Sequence, residues 1–166
     1  KFRNGSTYIF ISTDLASRGL DIPEIKYIIH YHLSEKTESF IHRNGRTARM
    51  NASGTAFLLL EKDAPLPDYL ADVPETYTPV GKYPAPAEPY WSTLYIGKGK
   101  KDKVNKMDVV GFLCQKGKLK KEDIGKIEVK DYHSFVAVKR GNLRKLISLI
   151  RKEKITNMRA KIEISR

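Results

Sequence analysis

Prolines limit the possible folds of this chain more than any other feature, because seven of its eight prolines fall within one short stretch. They stand at positions 65, 67, 74, 79, 84, 86 and 89. Proline fixes the φ angle and has no amide hydrogen, so this stretch favours a semi-extended tether over a packed core. The sequence therefore predicts two folded parts, residues 1–63 and 92–166, joined by a proline-rich linker at 64–91.

The basic residues are concentrated after this linker. Residues 92–166 carry 21 Lys and Arg against 8 Asp and Glu, whereas residues 1–63 carry 9 against 7. So large a positive charge on a small unit is typical of proteins that bind a polyanion, most simply nucleic acid. No apolar run approaches the roughly 20 residues of a membrane span, and there is a single cysteine. We expect a cytoplasmic protein with no membrane partner; its oligomeric state is open.

Three short apolar runs in the first part predict strands, at 8–11, 25–29 and 54–60. Residues 37–41 predict a short helix with a hydroxyl cap. Near-continuous apolar strands separated by loops and a helix are typical of a parallel sheet covered on both faces, in which ligands bind at the carboxyl ends of the strands. We therefore predict an α/β fold in which the polar stretches 13–21 and 42–49 converge.

The segment HRNGRTAR at 42–49 places three guanidinium groups in one turn-rich stretch. Arg46 and Arg49 are three residues apart, so both would leave the same side of the helix end. Two guanidinium groups that point in one direction can bind a polyphosphate while negative charge shifts on it during the reaction. A solvated basic turn is the alternative interpretation of this segment taken alone.

The stretch STDLASRGLDIP at 12–23 strongly resembles motif V of the DEAD-box RNA helicases, and residues 42–49 resemble their motif VI. The ordered pair implies the second RecA-like lobe of an ATP-dependent RNA helicase. In that family the arginines that match Arg46 and Arg49 reach the γ-phosphate of an ATP held by the first lobe. The resemblance therefore implies that these two residues are catalytic.

The same resemblance implies further site residues. Gly19 and Asp21 are expected at the nucleotide, with the aspartate on its ribose. The set expected to couple the lobes to RNA is Thr13, Asp14, Arg18, His42 and Arg43. Capping of the next turn is the alternative role for Asp14. His30 and His32 are interpreted as packing or surface residues, and no metal ligands are assigned.

Two positions depart from the usual motif VI: Asn44 replaces an aliphatic residue, and Ala48 replaces glycine. The sequence also contains no G-x-x-x-x-G-K-[ST] loop and no DEAD-like pair of acids. ATP and Mg²⁺ are therefore expected to bind mainly to a first lobe outside this chain, which should not hydrolyse ATP by itself. Because the chain starts without Met, we expect a fragment. Three predicted strands in 63 residues cannot bury what a whole RecA-like lobe buries, so the leading strands of this lobe are expected upstream of Lys1, as is the missing amino-terminal RecA-like lobe.

The last part predicts the order βαββαβ, which is the layout of an RRM. The predicted strands lie at 93–96, 127–129, 135–138 and 160–164, and Asn105 and Asn142 are predicted to cap the two helices. Alternation along the strands points Leu94 and Ile96 inward. It points Tyr95, His133 and Phe135 outward, to the positions where an RRM stacks bases. Stacking on RNA and plain packing both remain open for these three rings.

The loop GKGKKDKV at 97–104, with DVVG at 108–111 and DIGKI at 123–127, resembles the divergent RNA-binding domain of DbpA-type bacterial DEAD-box proteins. This resemblance implies recognition of a structured 23S rRNA hairpin and a role in assembly of the large ribosomal subunit. The predicted phosphate contacts are Lys98, Lys100, Lys101, Lys103 and Arg140, and simple solvation is the alternative for each lysine. A non-catalytic RNA-binding or RNA-chaperone protein is the rival function, against which the presence of Arg46, Arg49 and Asp21 argues.

Overall fold

The chain forms two compact units in the computed structural model, which describes residues 1–14, 25–47, 53–62, 64–70 and 75–165. The parallel-sheet unit is Ile11–Ala85, and the four-stranded unit combines Lys1–Phe10 with Pro86–Arg166. Both mix helices and strands, so the predicted α/β class is confirmed. The proposed boundaries at 63 and 91 stay a prediction.

The parallel-sheet unit is built from strand β1 (Tyr27–His30), helix α1 (Thr37–Asn44) and strand β2 (Thr55–Leu58). The two strands pair in parallel, with Tyr27 opposite Thr55 and His30 opposite Leu58. A parallel pair needs a crossover connection, and α1 lies in it. The predicted parallel pairing is therefore confirmed.

Two local predictions for this region are wrong. Residues 8–11 form no strand, and Tyr8, Ile9 and Ile11 are 57%, 71% and 91% exposed. An apolar run becomes a buried strand only where a neighbouring strand and a covering layer are available, and within the described residues β1 and β2 pair only with each other. The predicted hydroxyl cap is also absent, because Thr37 is already helical and Lys36 occupies the cap position without a side-chain bond.

The four-stranded unit contains the predicted βαββαβ order with a short hairpin added before the last strand. Its elements are β3 (Trp91–Ile96), α2 (Lys106–Gln115), β4 (Ile124–Val129), β5 (Ser134–Lys139), α3 (Leu143–Ile150), the hairpin β6 (Lys154–Ile155) and β7 (Met158–Arg159), and β8 (Ile162–Ile164). The sheet order is β4-β5-β3-β8, and every neighbouring pair is antiparallel. The amino-terminal segment adds to this unit through Asn4, whose side-chain amide donates to Thr93 Oγ1 over 2.9 Å.

The core of this unit lies between the sheet and its two helices. Leu94, Ile96, Val136 and Val138 are fully buried, which confirms the predicted inward side of β3 and β5. They pack in one cluster with residues of α2 and α3, among them Leu113, Leu146 and Ile150. The outward side of the same strands is therefore left for other functions.

Only one of the two predicted asparagine caps forms. Asn105 Oδ1 accepts hydrogen bonds from the amides of Met107 (2.7 Å) and Asp108 (3.0 Å), and the Asp108 carboxylate accepts one from the Asn105 amide (2.8 Å). This reciprocal pair defines the start of α2. Asn142 stands before α3 but makes no side-chain cap bond, because a 3-10 turn at Arg140–Asn142 already gives it a helical backbone.

Candidate functional site

The two motif-bearing stretches meet at the side chain of Arg43. Its Nε and Nη2 donate to the two carboxylate oxygens of Asp14, with Nη2 at 2.8 Å from Oδ2. Its remaining nitrogen, Nη1, donates to the carbonyl of His32 over 2.8 Å. The hydrogen bond to Asp14 raises the pKa of Arg43. The predicted convergence is thus made by a two-pronged ion pair, and Asp14 serves as its acceptor.

The backbone around Arg46 is fixed on both sides. The amide of Gly45 donates to the Ile41 carbonyl (2.8 Å) and that of Arg46 to the Arg43 carbonyl (3.1 Å), which closes the end of α1. Thr47 then forms a parallel bridge with Ile25, and its hydroxyl donates to the Ile25 carbonyl. Ile25 follows the first stretch by two residues, so this bridge holds the second stretch beside the segment that leads into β1.

Several predicted site residues lie outside the described part of the chain, namely Arg18, Gly19, Asp21 and Arg49. Thr13 and His42 are described and exposed. The roles assigned to these six residues, and to Arg46, stay predictions.

A buried histidine supports the helix that carries Arg43. His30 is only 2% exposed, and its Nε2 lies 2.8 Å from Asn44 Oδ1. Its ring packs on Phe40 with centroids 4.9 Å apart, and Phe40 packs in turn on Tyr69 at 5.1 Å. Burial lowers the pKa of His30. The sequence showed Asn44 only as a departure from the usual motif, since no local signal connects it with a residue fourteen positions earlier.

The beginning of the predicted linker is docked on the parallel-sheet unit. The Tyr69 hydroxyl donates to the carbonyl of Ser34, in addition to the ring contact with Phe40. Proline density alone gave no sign of this attachment.

The lysine-rich loop of the four-stranded unit is held rigidly by its backbone. The amides of Lys100 and Lys101 donate to the carbonyls of Lys130 and Asp131, each over 2.8 Å. The Ser134 hydroxyl donates to the Lys98 carbonyl, also over 2.8 Å. The side chains of Lys100, Lys101 and Lys103 are exposed on this fixed frame. Three ammonium groups are therefore available to an anion without any need to order the loop first.

The other two predicted phosphate contacts have partners within the unit. Lys98 Nζ lies 2.7 Å from Asp102 Oδ1, and this bond lowers the pKa of Asp102. Arg140 Nε donates to the Pro89 carbonyl over 2.7 Å, and its Nη2 donates to the Trp91 carbonyl over 3.3 Å. Lys98 thus braces the loop and Arg140 holds the end of the linker, while phosphate binding by either remains a prediction.

The three outward aromatic residues form one cluster. Tyr95 stands opposite Phe135 in the β3–β5 register, with ring centroids 5.7 Å apart. His133 lies 5.7 Å from Tyr95 and 5.0 Å from Phe135, and all three side chains are half-buried. The alternation along the strands therefore correctly predicted that these three residues share one face of the sheet. The open sides of their rings are suited to base stacking.

A basic groove next to the lysine loop was not predicted. It encloses about 500 Å³ and is lined by the cations Arg3, Lys100, Lys106 and Lys126, together with Glu128. Sequence patterns did not reveal it because its cations come from separate elements, including the start of α2 and strand β4.

The donors of the two units suit phosphate better than a metal. Guanidinium and ammonium groups bind phosphate oxygens, so the exposed lysines of the loop at 97–104 suit a phosphate ligand. Across the described ranges, no group of three or more His, Cys, Asp or Glu residues could hold a metal ion. No helix in the same ranges is long and apolar enough to cross a membrane.

Comparison with known proteins agrees with this geometry. Residues 93–164 match the DbpA RNA binding domain, and residues 1–51 match the helicase conserved C-terminal domain. The chain is therefore similar to the carboxyl-terminal part of DbpA-like DEAD-box RNA helicases, in which a RecA-like lobe region precedes an RRM-like domain.

Individual relatives are similar over different lengths. The ATP-dependent RNA helicase DbpA of Escherichia coli is 32% identical over 99% of this chain, which spans 37% of that protein. The ATP-dependent RNA helicase mak-5 of Neurospora crassa and the probable ATP-dependent RNA helicase ddx17 of Dictyostelium discoideum are each 52% identical, over 36% and 38% of this chain. These alignments cover 7% and 8% of the two relatives. The similarity to DbpA thus extends through both units, whereas the alignments with the other two cover little more than a third of the chain.

Proposed function

We propose that this chain acts, together with a first RecA-like lobe, as an ATP-dependent RNA helicase that couples ATP hydrolysis to the unwinding of RNA duplexes. The observation that carries the proposal is the union of the two motif stretches by the Arg43–Asp14 ion pair, which the bridge between Thr47 and Ile25 reinforces. This union fixes the backbone from which Arg46 projects. A charge-stabilising arginine contributes most when its position is set before the reaction begins.

In this proposal the catalytic residues are Arg46 and Arg49, which stabilise the charge that develops on the γ-phosphate. Gly19 and Asp21 bind the nucleotide, and Asp21 contacts its ribose. A first lobe supplies the remaining ATP contacts and the Mg²⁺ ligands. Because the arginines approach from a separate lobe, hydrolysis occurs only when the lobes close around ATP and RNA.

The four-stranded unit is proposed to direct this activity to structured RNA, specifically a hairpin of 23S rRNA during assembly of the large ribosomal subunit in the cytoplasm. Its fixed lysine loop binds the RNA backbone, and the Tyr95, His133 and Phe135 cluster stacks on unpaired bases. Because this domain is joined to the helicase unit, RNA duplexes near its binding site are present at a high effective concentration around the helicase unit. The helicase unit itself therefore need not recognise a base sequence.

RNA-stimulated ATPase tests the catalytic assignment in the chain joined to an intact DEAD-box first lobe. Arg46→Ala should lower kcat by about a thousandfold, within the range known for arginine fingers. Arg46→Lys distinguishes the effect of the positive charge from that of the guanidinium geometry. Lysine keeps the charge but lacks the two coplanar N–H donors of arginine. Arg144→Ala is the matched control, since Arg144 is exposed on α3 in the other unit. Unchanged hydrolysis in Arg46→Ala would remove the finger assignment.

RNA titration tests the targeting assignment in the same chain. A 23S rRNA hairpin and an unrelated hairpin of equal length are compared at two salt concentrations, because backbone contacts weaken with salt whereas base recognition preserves the ratio of affinities. Equal affinity for both hairpins would refute targeting. RNA binding with no ATPase in the joined protein would favour the non-catalytic RNA-binding function instead.

A further inference from the structure

The neutral imidazole of His30 occupies a junction that the proposed function does not explain. It is buried at 2% exposure, between Phe40, Arg43 and Asn44 on successive turns of α1. Its Nδ1 lies 3.4 Å from Arg43 Nη1, and its Nε2 lies 2.8 Å from the amide oxygen of Asn44. Both ring nitrogens therefore face α1, the helix that ends just before Arg46.

The protonation state of this ring follows from its neighbours. A guanidinium group can only donate hydrogen bonds, so Nδ1 must be the acceptor and the ring proton must be on Nε2. Nε2–H then needs an acceptor, and the Asn44 oxygen provides it. A second proton on Nδ1 would point a donor at a donor and would bring two positive charges together. The arrangement therefore requires a neutral His30.

We propose that neutral His30, oriented by Asn44, is a positioning residue that fixes Arg43 and, through Arg43, the finger loop containing Arg46. This inference rests on the proposed function. Arg43 is the connecting side chain, because the same guanidinium bonds Asp14, the His32 carbonyl and the His30 ring. Asn44, which departs from the usual aliphatic residue, is thereby explained as the acceptor that a buried Nε2–H requires.

The surrounding charges agree with this assignment. The charged groups acting on His30 are Arg43, which opposes protonation, and Asp14, which favours it. Phe40 is uncharged, and the hydrogen bond to Asn44 raises the pKa of His30 by less than burial lowers it. Tyr69, which packs on Phe40, acts electrostatically on Arg43. Burial is the largest influence, and the resulting pKa of His30 lies below its ordinary value. Acidification is therefore expected to displace Arg43 as the ring gains its second proton.

The first test is NMR titration of the full chain. Long-range ¹H–¹⁵N spectra should show the neutral Nε2–H form of His30, and the Arg43 Nε–H signal should shift with the same midpoint as the His30 ring. Asn44→Asp should raise that midpoint, because a carboxylate stabilises the imidazolium. His32→Asn is the matched control, since the His32 side chain is exposed and its carbonyl is retained. An Nδ1–H form, or an Arg43 signal that ignores the titration, would overturn the proposal.

The second test measures ATPase against pH in the chain joined to an intact first lobe. In the acid limb of the pH profile, kcat should fall by about tenfold per pH unit. The midpoint of this limb should equal the midpoint of the His30 titration found by NMR. Asn44→Asp should move this limb to higher pH. His30→Asn keeps an acceptor near Nδ1 but cannot titrate, so it should remove the limb. A merely structural His30 would instead lower kcat by one factor at every pH, which would also overturn the proposal.

The two tests separate this inference from the proposed function. If the joined wild-type protein has no ATPase, the helicase function fails, while the NMR titration still decides whether His30 fixes Arg43.

Discussion

Replacing Gly99 by alanine should loosen the lysine loop from the connection between β4 and β5. A Cβ atom built on Gly99 would lie 2.3 Å from the Lys130 carbonyl oxygen and 2.6 Å from both the Asp131 oxygen and the His133 nitrogen. All three neighbours are backbone atoms, so no side-chain rotation can relieve the overlap. The loop must move by about 1 Å to reach ordinary contact distances.

This movement would weaken the two hydrogen bonds that hold the loop. They run from the amides of Lys100 and Lys101 to the carbonyls of Lys130 and Asp131. At about 1 kcal/mol each, their loss lowers the free energy of unfolding by about 2 kcal/mol. With an m-value of about 1 kcal/mol/M for a unit of this size, the urea midpoint should fall by about 2 M.

Fluorescence of Trp91, the single tryptophan of the chain, reports unfolding of this unit. The matched control is Gly111→Ala in α2, where an added Cβ meets nothing within 4 Å. Because alanine favours a helix over glycine, this control should raise the midpoint by about 0.5 to 1 M. The reasoning is refuted if Gly99→Ala leaves the midpoint unchanged, or if both substitutions shift it in the same direction.

Three further outcomes are expected. Asn105→Ala should lower the free energy of unfolding of the four-stranded unit by about 1 kcal/mol, because the cap of α2 is lost. Urea unfolding measures this difference. Asn105→Ser should recover part of the lost stability. Acid should destabilise the parallel-sheet unit: the pKa of His30 is lowered in the folded chain, so below about pH 6.5 the unfolded chain binds more protons. This loss of stability, measured by NMR during urea unfolding, should be complete below the pKa of His30 in the folded chain. It should be absent in the His30→Asn variant. Replacing Lys100, Lys101 and Lys103 by glutamine should reduce the salt slope of RNA binding by up to about 2 to 3 units, and an unchanged slope would contradict a phosphate role for this loop.

The parts of the fold that follow from local patterns could be predicted. The alternation in β3 and β5 gave the buried Leu94 and the outward Tyr95, because side chains of a strand point alternately to its two faces. Asn105 was recognisable as a cap because its partners lie two and three residues ahead. The β6–β7 hairpin was missed although Thr156 and Asn157, both with positive φ, form a turn typical of such hairpins.

Features that depend on distant residues could not be predicted. The apolar run at 8–11 looks like a strand in sequence, but a strand requires a partner that no local pattern supplies. The contact between His30 and Asn44 joins residues on different elements, and the clamp of Arg140 on Pro89 spans the end of the linker. Motif resemblance gave Asp14 and Arg43 as site residues, but only the structure shows that they bind each other.

Under the proposed function, the two attachments of the linker set how far the four-stranded unit can reach while it binds RNA. Tyr69 fastens one end to α1 through Phe40, and Arg140 fastens the other end at the Pro89 and Trp91 carbonyls. The length of chain between these anchors is therefore shorter than the proline-rich stretch suggests. An insertion between them would extend the radius over which duplexes can be collected, while an insertion at either anchor would detach the linker and change its point of origin. Changes in linker length alone can thus adjust this distance without altering either folded unit.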